Sequence, residues 1–385
     1  MSAAKRLFPL SLLCCLTLGC AEDAEGGDAG MAGSGETGGD EGDMGPSGVP
    51  ILGDGTHDID NLEIVMVASA ADGLNQPTDL AFNPDQPGAL WVTNIADFSM
   101  VVLEEAGTAS QSSYKVRDEV EGGMHFLAKP AALAFGAPGT FATAQQENGW
   151  TQPDTPYDFM GPTLWTSIPE EFTGGHWGHL DMLHNSPLSS GIDWAGGNKY
   201  WIYDGAHRSL TYYDFVADHG LGGTDHSDGI IYRFVEGEVG YQPGGVPHEV
   251  AVDRETGMVF AADAANGVLV RMDPSTGTMG SFIGPDYDGG TQRRFNDAVL
   301  DIIVDGESLE AEMRMPSGLV LHDGMLFATD HELSRFFAFS TDGELLDWVD
   351  TGLPPGSLVG LTFDDEGNLY FADKAGARVF RINNP

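Results

Sequence analysis

The sequence predicts an all-β protein, a six-bladed β-propeller in which an N-terminal strand closes the last blade. Three features of the chain point to this fold class. Glycine and proline are abundant, with 53 Gly and 21 Pro in 385 residues, as expected for a fold that contains many tight turns. A strand–turn–strand pattern recurs six times after residue 50, and the last copy ends after its third strand.

Each repeat begins with an alternating apolar stretch, which is followed by a short polar turn and a second apolar stretch. Short segments rich in β-branched and aromatic residues, separated by Gly, Asp and Asn, are typical of antiparallel hairpins. The first and second strands are predicted at 77–82 and 90–94, 130–135 and 141–144, 189–194 and 201–204, 247–252 and 259–263, 316–321 and 326–330, and 358–363 and 369–373. Third strands are clearest at 208–215, 267–272, 334–339 and 377–382. The repeats average about 56 residues, which suits a four-stranded propeller blade.

The two ends of the domain explain how the ring would close. The last repeat has three strands, and the apolar stretch 62–67 precedes the first repeat without a partner of its own. An unpaired strand edge invites aggregation. We therefore expect 62–67 to pair with the last blade as its fourth strand.

The charge balance excludes several classes of partner. The chain carries 17 Lys and Arg against 59 Asp and Glu, a formal net charge of −42. A protein that binds nucleic acid contacts the phosphates with clusters of basic residues, and this chain has no basic run longer than Lys5-Arg6. We therefore expect no nucleic-acid partner.

The hydrophobic content of 41% is enough for a packed core, so we expect a folded domain. A monomer is the expected oligomeric state.

The N-terminus resembles an export signal. Lys5 and Arg6 precede an apolar stretch at 7–18, which is too short to span a bilayer. The pair Gly19-Cys20 resembles the cleavage box of bacterial lipoproteins, although Thr17 and Leu18 depart from its usual order. This resemblance implies a signal peptide at 1–19 and a lipid anchor on Cys20. An ordinary secretory signal cut nearby is the alternative.

The lipoprotein interpretation determines the rest of the domain organisation. Residues 20–49 are acidic and glycine-rich, and are expected to form a disordered tether, while residues 50–385 form the propeller. The protein is expected to be exported to the cell envelope, at the outer membrane or the periplasmic face, and to contact a membrane only through its anchor. All three cysteines lie at or before Cys20, so the mature domain has no disulfide and no thiol catalysis.

The repeat pattern resembles NHL-type repeats. Its features are Pro-led first strands such as Pro247-His248-Glu249, second strands that end in Asp, and third strands such as 378–382. Similar six-bladed proteins include gluconolactonase-like hydrolases, strictosidine-synthase-like proteins and peptidyl-hydroxyglycine amidating lyases. The resemblance implies an architecture and leaves the function open.

In such a ring, one residue near the start of each innermost strand is expected to face the channel at one mouth. These residues are Thr78, Ala131, Ser190, His248, Ser317 and Val359. The amidating lyases hold zinc through histidines at three such positions, and this sequence has a histidine only at His248. The lyase zinc site therefore does not carry over, and the calcium-binding set of gluconolactonase-like hydrolases is not recognisable by spacing.

The histidines are distributed unevenly along the chain. Seven of the eleven lie between residues 176 and 248, and most of these fall in two segments, 174–187 and 218–229, that depart from the repeat pattern. Imidazole nitrogens bind divalent transition metals, and nearby carboxylates can bind or orient them. The predicted site holds a divalent metal ion, Zn, Cu or Ca, at the channel mouth. Its predicted ligands are His176, His179, His184, His226 and His248.

Two functions remain open from the sequence. In the first, the propeller is a metal-assisted hydrolase or lyase in which Asp181, Glu249 or Asp225 transfers a proton. In the second, it is a non-catalytic module that binds a small molecule, a peptide or a protein at its mouth, beneath an aromatic-rich segment at 150–177. A structural interpretation also stands, in which the His and Asp residues only form a network of polar turns.

The same structural interpretation applies to a polar residue that ends most of the second strands. These residues are Asn94, Asp204, Asp263, Asp330 and Asp373. They are predicted to accept backbone N–H bonds at their own turns and not to form a shared site.

Overall fold

The computed structural model describes residues 48–117, 124–148, 159–173 and 179–385. In these ranges the chain forms six sheets, one for each predicted repeat. The first strand of each sheet packs against the first strands of both neighbouring sheets. The six first strands therefore make a closed ring, the arrangement of a six-bladed β-propeller. This confirms the predicted fold class.

The N-terminal strand and the first two blades come first in the chain. The N-terminal strand is β1 (Ile64–Ala68). Blade one contains β2 (Pro77–Phe82), β3 (Leu90–Asn94), β4 (Ser99–Glu104) and β5 (Ser112–Arg117). Blade two contains β6 (Pro130–Phe135), β7 (Thr140–Gln145), β8 (Thr163–Thr166) and β9 (His179–Met182), with the short helix α1 (Pro169–Thr173) between β8 and β9.

Blades three and four are interwoven. Blade three contains β10 (Ser189–Gly196), β11 (Lys199–Asp204), β12 (Ser209–Asp214) and β13 (Ile230–Phe234). Blade four contains β14 (Val250–Val252), β15 (Val259–Asp263) and β16 (Val268–Asp273), and then the chain forms a hairpin, β17 (Thr278–Phe282) and β18 (Thr291–Asn296), before β19 (Val299–Asp305) completes the blade. The hairpin returns to blade three, where β18 pairs in parallel with β13.

Blades five and six complete the ring. Blade five contains β20 (Pro316–His322), β21 (Met325–Asp330), β22 (Arg335–Ser340) and β23 (Leu345–Asp350). Blade six contains β24 (Leu358–Phe363), β25 (Leu369–Asp373) and β26 (Arg378–Ile382). Short 3-10 helices occupy Pro50–Leu52, Ile59–Asn61, Ala70–Asp72, Met124–Leu127, Pro274–Thr276 and Gly306–Ser308. None of the helices in the described ranges is long and apolar enough to cross a membrane.

The ring closes as the sequence predicts. Strand β1 pairs with β26 in antiparallel register, with Ile64 opposite Ile382, and becomes the fourth strand of blade six. Just before β1, Ile51 and Leu52 are buried with residues of blades five and six. The N-terminal segment therefore supplies both backbone pairing and apolar contacts to the last blade.

The apolar core lies between the blades, in six layers around the ring. Between blades one and two, for example, Trp91, Phe141 and Trp165 are fully buried, with the rings of Trp91 and Phe141 5.1 Å apart. Comparable clusters fill the other five blade junctions. Each blade is thus held by the neighbours on both of its sides.

The polar residues that end the second strands cap their own turns, as predicted. Asp204 Oδ1 accepts the N–H of His207 at 3.0 Å, and Asp263 and Asp373 accept from the residue three positions later in the same way. Asn94 differs, because its Oδ1 accepts from Asn75 ahead of β2.

The expectation about the channel-facing positions is wrong. Thr78, Ala131, Ser190, His248, Ser317 and Val359 all have no exposed surface. The hydroxyl of Thr78 donates to the Pro130 carbonyl of the next blade, and Ser317 donates in the same way to Leu358. Near these positions the pairing of the first strand with the second shifts its register in blades one, two, three, five and six.

Candidate metal centre

Asp181, His219 and His226 come together at the junction of blades two and three. Asp181 lies on β9, the outermost strand of blade two, and both histidines lie on the loop between β12 and β13. This loop folds back onto β9, where the N–H of His219 donates to the Leu180 carbonyl at 3.1 Å. As a result, one potential ligand atom from each of the three residues lies within 4.8 Å of the other two.

Two atoms of this group are buried without a hydrogen-bond partner. The Nδ1 of His219 lies 2.6 Å from the Gly220 carbonyl, which assigns the proton to Nδ1 and leaves a lone pair on Nε2. Among the residues that the structure describes, that Nε2 has no partner, and neither has Oδ2 of Asp181. Leaving a buried polar atom unsatisfied costs about 1–3 kcal/mol. Both atoms are electron-pair donors, the type of atom that binds a cation.

Asp181 also pairs with His226, whose Nδ1 lies 2.6 Å from Oδ1 of Asp181. Burial raises the pKa of Asp181, although the bond from His226 works against that increase. Burial also opposes charge on His226, but the bond to Asp181 outweighs it and raises the pKa of the imidazole. The bond from His226 therefore offsets only part of the effect of burial on the pKa of Asp181.

Two further histidines lie beside the group. The ring of His179 is 5.0 Å from that of His219, and the ring of His184 is 6.3 Å from that of His226. The Nδ1 of His184 lies 2.5 Å from Oδ1 of Asp288, and its backbone N–H donates to Oδ2 of the same residue at 2.9 Å. Asp288 fixes the orientation of His184.

Of the other residues predicted for the site, Asp225 is adjacent in sequence to His226. Its side chain is exposed and accepts two bonds from Ser227, which keep the pKa of Asp225 below its usual range. His176 lies outside the described residues.

His248 and Glu249 do not join the group. His248 packs beside Tyr203 and Tyr241, and its Nε2 accepts the Gln242 N–H at 2.9 Å. Burial lowers the pKa of His248 to about 4, so the ring is neutral at ordinary pH. Glu249 lines the central cavity of the propeller.

The sequence singled out His179, His184, His226 and Asp181, and the structure places all four in one region. The sequence analysis predicted that this region lies at the channel mouth. That prediction is wrong, because β9 is the outermost strand of its blade. Asp288 and His219 were missed as site residues. His219 belonged to the noted segment 218–229, but Asp288 is 104 residues from His184 and gave no local signal.

Two imidazoles and one carboxylate form a ligand set that suits zinc and related divalent transition metals. Three protein ligands leave coordination positions for water or a substrate, which is the usual pattern at catalytic sites. His219 and His226 are partly exposed, whereas Asp181 is fully buried.

No protein-family model matches the sequence, and no curated protein matches it. Solved structures do match the fold. A gluconolactonase from Xanthomonas campestris aligns over 86% of this chain and 92% of its own length, with a TM-score of 0.52 and 12% identity. An auxiliary nutrient binding protein from Bacteroides ovatus aligns over 83% and 76%, with a TM-score of 0.53 and 12% identity.

A streptogramin B lyase also aligns, over 84% of this chain and 98% of its own, with a TM-score of 0.50 and 11% identity. At such low identity these likenesses establish the fold alone. The chain is a six-bladed β-propeller, an architecture that it shares with a hydrolase, a lyase and a nutrient-binding protein.

Proposed function

We propose that this protein binds a divalent transition-metal ion through Asp181, His219 and His226. The observation that carries the proposal is the pair of buried, unpartnered atoms, His219 Nε2 and Asp181 Oδ2. A network of polar turns would satisfy these atoms internally, and this one does not. A bound cation removes both deficits and offsets the raised pKa of the buried carboxyl group.

The chemistry that we propose is metal-assisted hydrolysis or elimination on a small molecule. A zinc ion in such a site lowers the pKa of its bound water to about 7 and polarises carbonyl groups. Asp288 holds His184, whose ring lies 6.3 Å from that of His226, and in this proposal His184 accepts a proton from the reacting molecule. In this proposal His184 takes the proton-transfer role that the sequence assigned to Asp181, Asp225 or Glu249, because Asp181 is a ligand and Glu249 lies elsewhere.

A second candidate function is binding without turnover. It is favoured by a cavity of about 1360 Å³ in the centre of the ring, which is large enough for a small organic ligand. The two functions use different parts of the molecule and do not exclude one another.

For the location of the protein, we propose export to the cell envelope with a lipid anchor on Cys20, based on the leader sequence.

Metal analysis of the purified protein tests the first proposal. The wild type is expected to hold one zinc ion per chain after incubation with zinc and removal of the excess. The variants His219→Gln and Asp181→Asn are expected to lose it, because each removes one of three ligands. His322→Gln is the matched control, since His322 stacks on Phe363 in blades five and six.

A circular dichroism spectrum and a melting curve for each variant distinguish a lost ligand from a lost fold. A wild-type protein without stoichiometric metal would overturn the proposal. So would equal retention of zinc by the folded His219→Gln and Asp181→Asn variants.

A further inference from the structure

The central cavity lies at the end of the channel where the first strand of each blade runs into its first loop. All six blades contribute wall residues, at 79–82, 133–135, 192–194, 249–252, 319–321 and 361–363. The opposite ends of the same strands are the fully buried positions described above. The cavity therefore opens towards the loops between the first and second strands.

Of the carboxyl groups that line the cavity, three lie on or directly before an innermost strand: Asp79, Asp193 and Glu249. Asp79 Oδ2 accepts the N–H of Leu133 at 2.8 Å, and Asp193 Oδ2 accepts that of Val252 at 2.7 Å. Glu249 is only 5% exposed, and its Oε1 has no hydrogen-bond partner within the described ranges. None of the three carboxyls makes an ion pair within 4.0 Å in the described part of the chain. The cavity thus presents an unpaired, buried acceptor.

The three carboxyl groups also affect one another. Burial raises the pKa of Asp79 to about 7 and that of Asp193 to about 6. Burial likewise raises the pKa of Glu249, and the charges of Asp79 and Asp193 raise it further. A positive charge between these groups would relieve both the burial and the mutual repulsion.

The mouth of the cavity is acidic and aromatic. Its acidic residues include Asp85, Asp253, Glu255, Asp323, Asp364 and Glu366. Arg254 and Arg381 are the only basic residues that the described part of the chain contributes to the lining. A concave surface lined by one sign of charge concentrates ligands of the opposite sign.

The side chain of Arg254 lies at this mouth. The guanidinium carbon of Arg254 lies 5.3 Å from the centre of the Trp194 ring, over its face. A ring face in this position attracts ammonium and guanidinium groups. Phe82, Phe135 and Phe363 supply further apolar surface in the lining. The combination of ring faces and carboxyl groups suits a ligand that has both an apolar body and positive charge.

A single metal ion fits this arrangement poorly. Among the described residues, only the group of Asp181, His219 and His226 brings three potential ligand atoms within 4.8 Å of one another. Asp79, Asp193 and Glu249 are more widely spaced than that. An elongated organic cation with several N–H donors can reach carboxyl groups that one ion cannot.

We propose that the central cavity is a binding site for an organic amine. Asp79, Asp193 and Glu249 bind its ammonium groups, and Trp194 packs against its carbon chain. This site is separate from the proposed metal centre and does not depend on it. Arg254 occupies part of the site in the free protein and is displaced when the amine binds.

Calorimetric titration of the whole protein at about pH 8 and 0.15 M salt tests this proposal. Spermidine and putrescine are the probes, with 1,4-butanediol as the neutral analogue and calcium as the metal probe. We expect one amine per chain and no binding of the diol. Glu249→Gln is expected to weaken amine binding at least tenfold, while Glu310→Gln, which removes an equal charge at an exposed position, leaves it unchanged.

A second pair of variants separates specific binding from general attraction to an acidic protein. Arg254→Gln is expected to tighten amine binding several-fold, because it removes the competing cation. Arg293→Gln is the matched control, since Arg293 lies over the Phe282 ring at 5.9 Å and outside the cavity. Equal effects of the two arginine changes would overturn the proposal, as would equal binding by a folded Glu249→Gln variant or binding of calcium alone.

The outcome is independent of the metal centre. His219→Gln is expected to bind the amine as the wild type does. Loss of metal with retained amine binding supports the cavity proposal, and absence of amine binding overturns it whatever the metal analysis shows.

Discussion

Asp181 and Glu249 are both buried carboxyl groups, and each has one oxygen that no donor of the described residues reaches. Their surroundings differ. Asp181 has two imidazoles within ligand distance, so its open oxygen is suited to a metal ion. Glu249 has two other carboxyl groups around the same cavity and aromatic rings at the mouth, so its open oxygen is suited to an organic cation. The chemistry of the neighbours decides which cation each carboxyl group would take.

The raised pKa of Asp79 predicts how stability depends on pH. In the unfolded chain Asp79 titrates near 3.8, and in the folded protein near 7, so between these values the folded state binds more protons at this group. Stability supplied by Asp79 is therefore present at low pH and is lost as pH rises from about 4 to 7, by up to about 4 kcal/mol.

The variant Asp79→Asn tests this dependence, because an amide keeps an oxygen for the Leu133 N–H and does not titrate. Urea unfolding at a series of pH values should show a smaller loss of stability between pH 4 and 7 in Asp79→Asn than in the wild type. Asp193 and Glu249 face the same cavity in both proteins. Removing the charge of Asp79 also lowers the pKa of Glu249, which reduces the loss of stability with rising pH in the same direction. Parallel pH profiles for the two proteins would contradict the prediction.

At the scale of elements, two insertions build the candidate metal centre and its surroundings. The loop between β12 and β13 carries His219 and His226 onto β9, and the β17–β18 hairpin carries Asp288 to His184. The hairpin also covers the outer edge of β13 through its parallel pairing with β18, which protects an edge that could otherwise pair with another chain. An element that completes a blade edge thus also orients a site residue.

The segment before β1 contributes to the stability of the last blade, and this contribution can be measured. Leu52 is fully buried against blades five and six, whereas Met66 on the adjacent strand is 57% exposed. Leu52→Ala is expected to lower the free energy of unfolding by about 2–5 kcal/mol, because it leaves a cavity in the last blade junction. Met66→Ala, the control, is expected to change it by less than about 0.5 kcal/mol.

Urea denaturation curves for the two variants measure this difference. If Leu52→Ala were as stable as Met66→Ala, the segment that precedes β1 would not contribute to ring closure. A large loss that is confined to Leu52→Ala would show that the last blade depends on residues from the start of the domain.

For the whole molecule, the ring accounts for both the closed core and the placement of the sites. Six apolar layers hold the blades together without one central core. A cavity lined by residues of all six blades lies in the middle of the ring. The net charge of −42 gives the molecule as a whole a preference for cations, and both proposed sites share that preference.

The proposed lipid anchor also concerns the whole molecule. Expressed with its leader in a bacterial host, the wild type is expected to appear in the membrane fraction and to partition into detergent. Cys20→Ser is expected to leave the membrane fraction, because the acyl chains supply the membrane affinity. Equal membrane association of both proteins would contradict lipidation of Cys20.

The sequence by itself determined the architecture of this protein. Blade number, the first and second strands of each blade and the closing strand follow from alternation and turn residues, which are local signals repeated six times. The expectation that 150–177 lies over the channel mouth is wrong for its described part, because Thr163–Thr166 form the third strand of blade two and Trp165 is buried between blades one and two. The strand-end Asp residues also cap their own turns as predicted, since an Asx turn involves only neighbours in the chain.

Only the tertiary structure decided which polar residues meet. The sequence indicated that histidines between residues 176 and 248 were unusual, but His248 packs between tyrosines while His219 joins Asp181. Asp288 reaches His184 from 104 residues away, and Asp79, Asp193 and Glu249 come to one cavity from three blades. Such meetings depend on how sheets are stacked around the ring, and no periodicity within one blade records that arrangement.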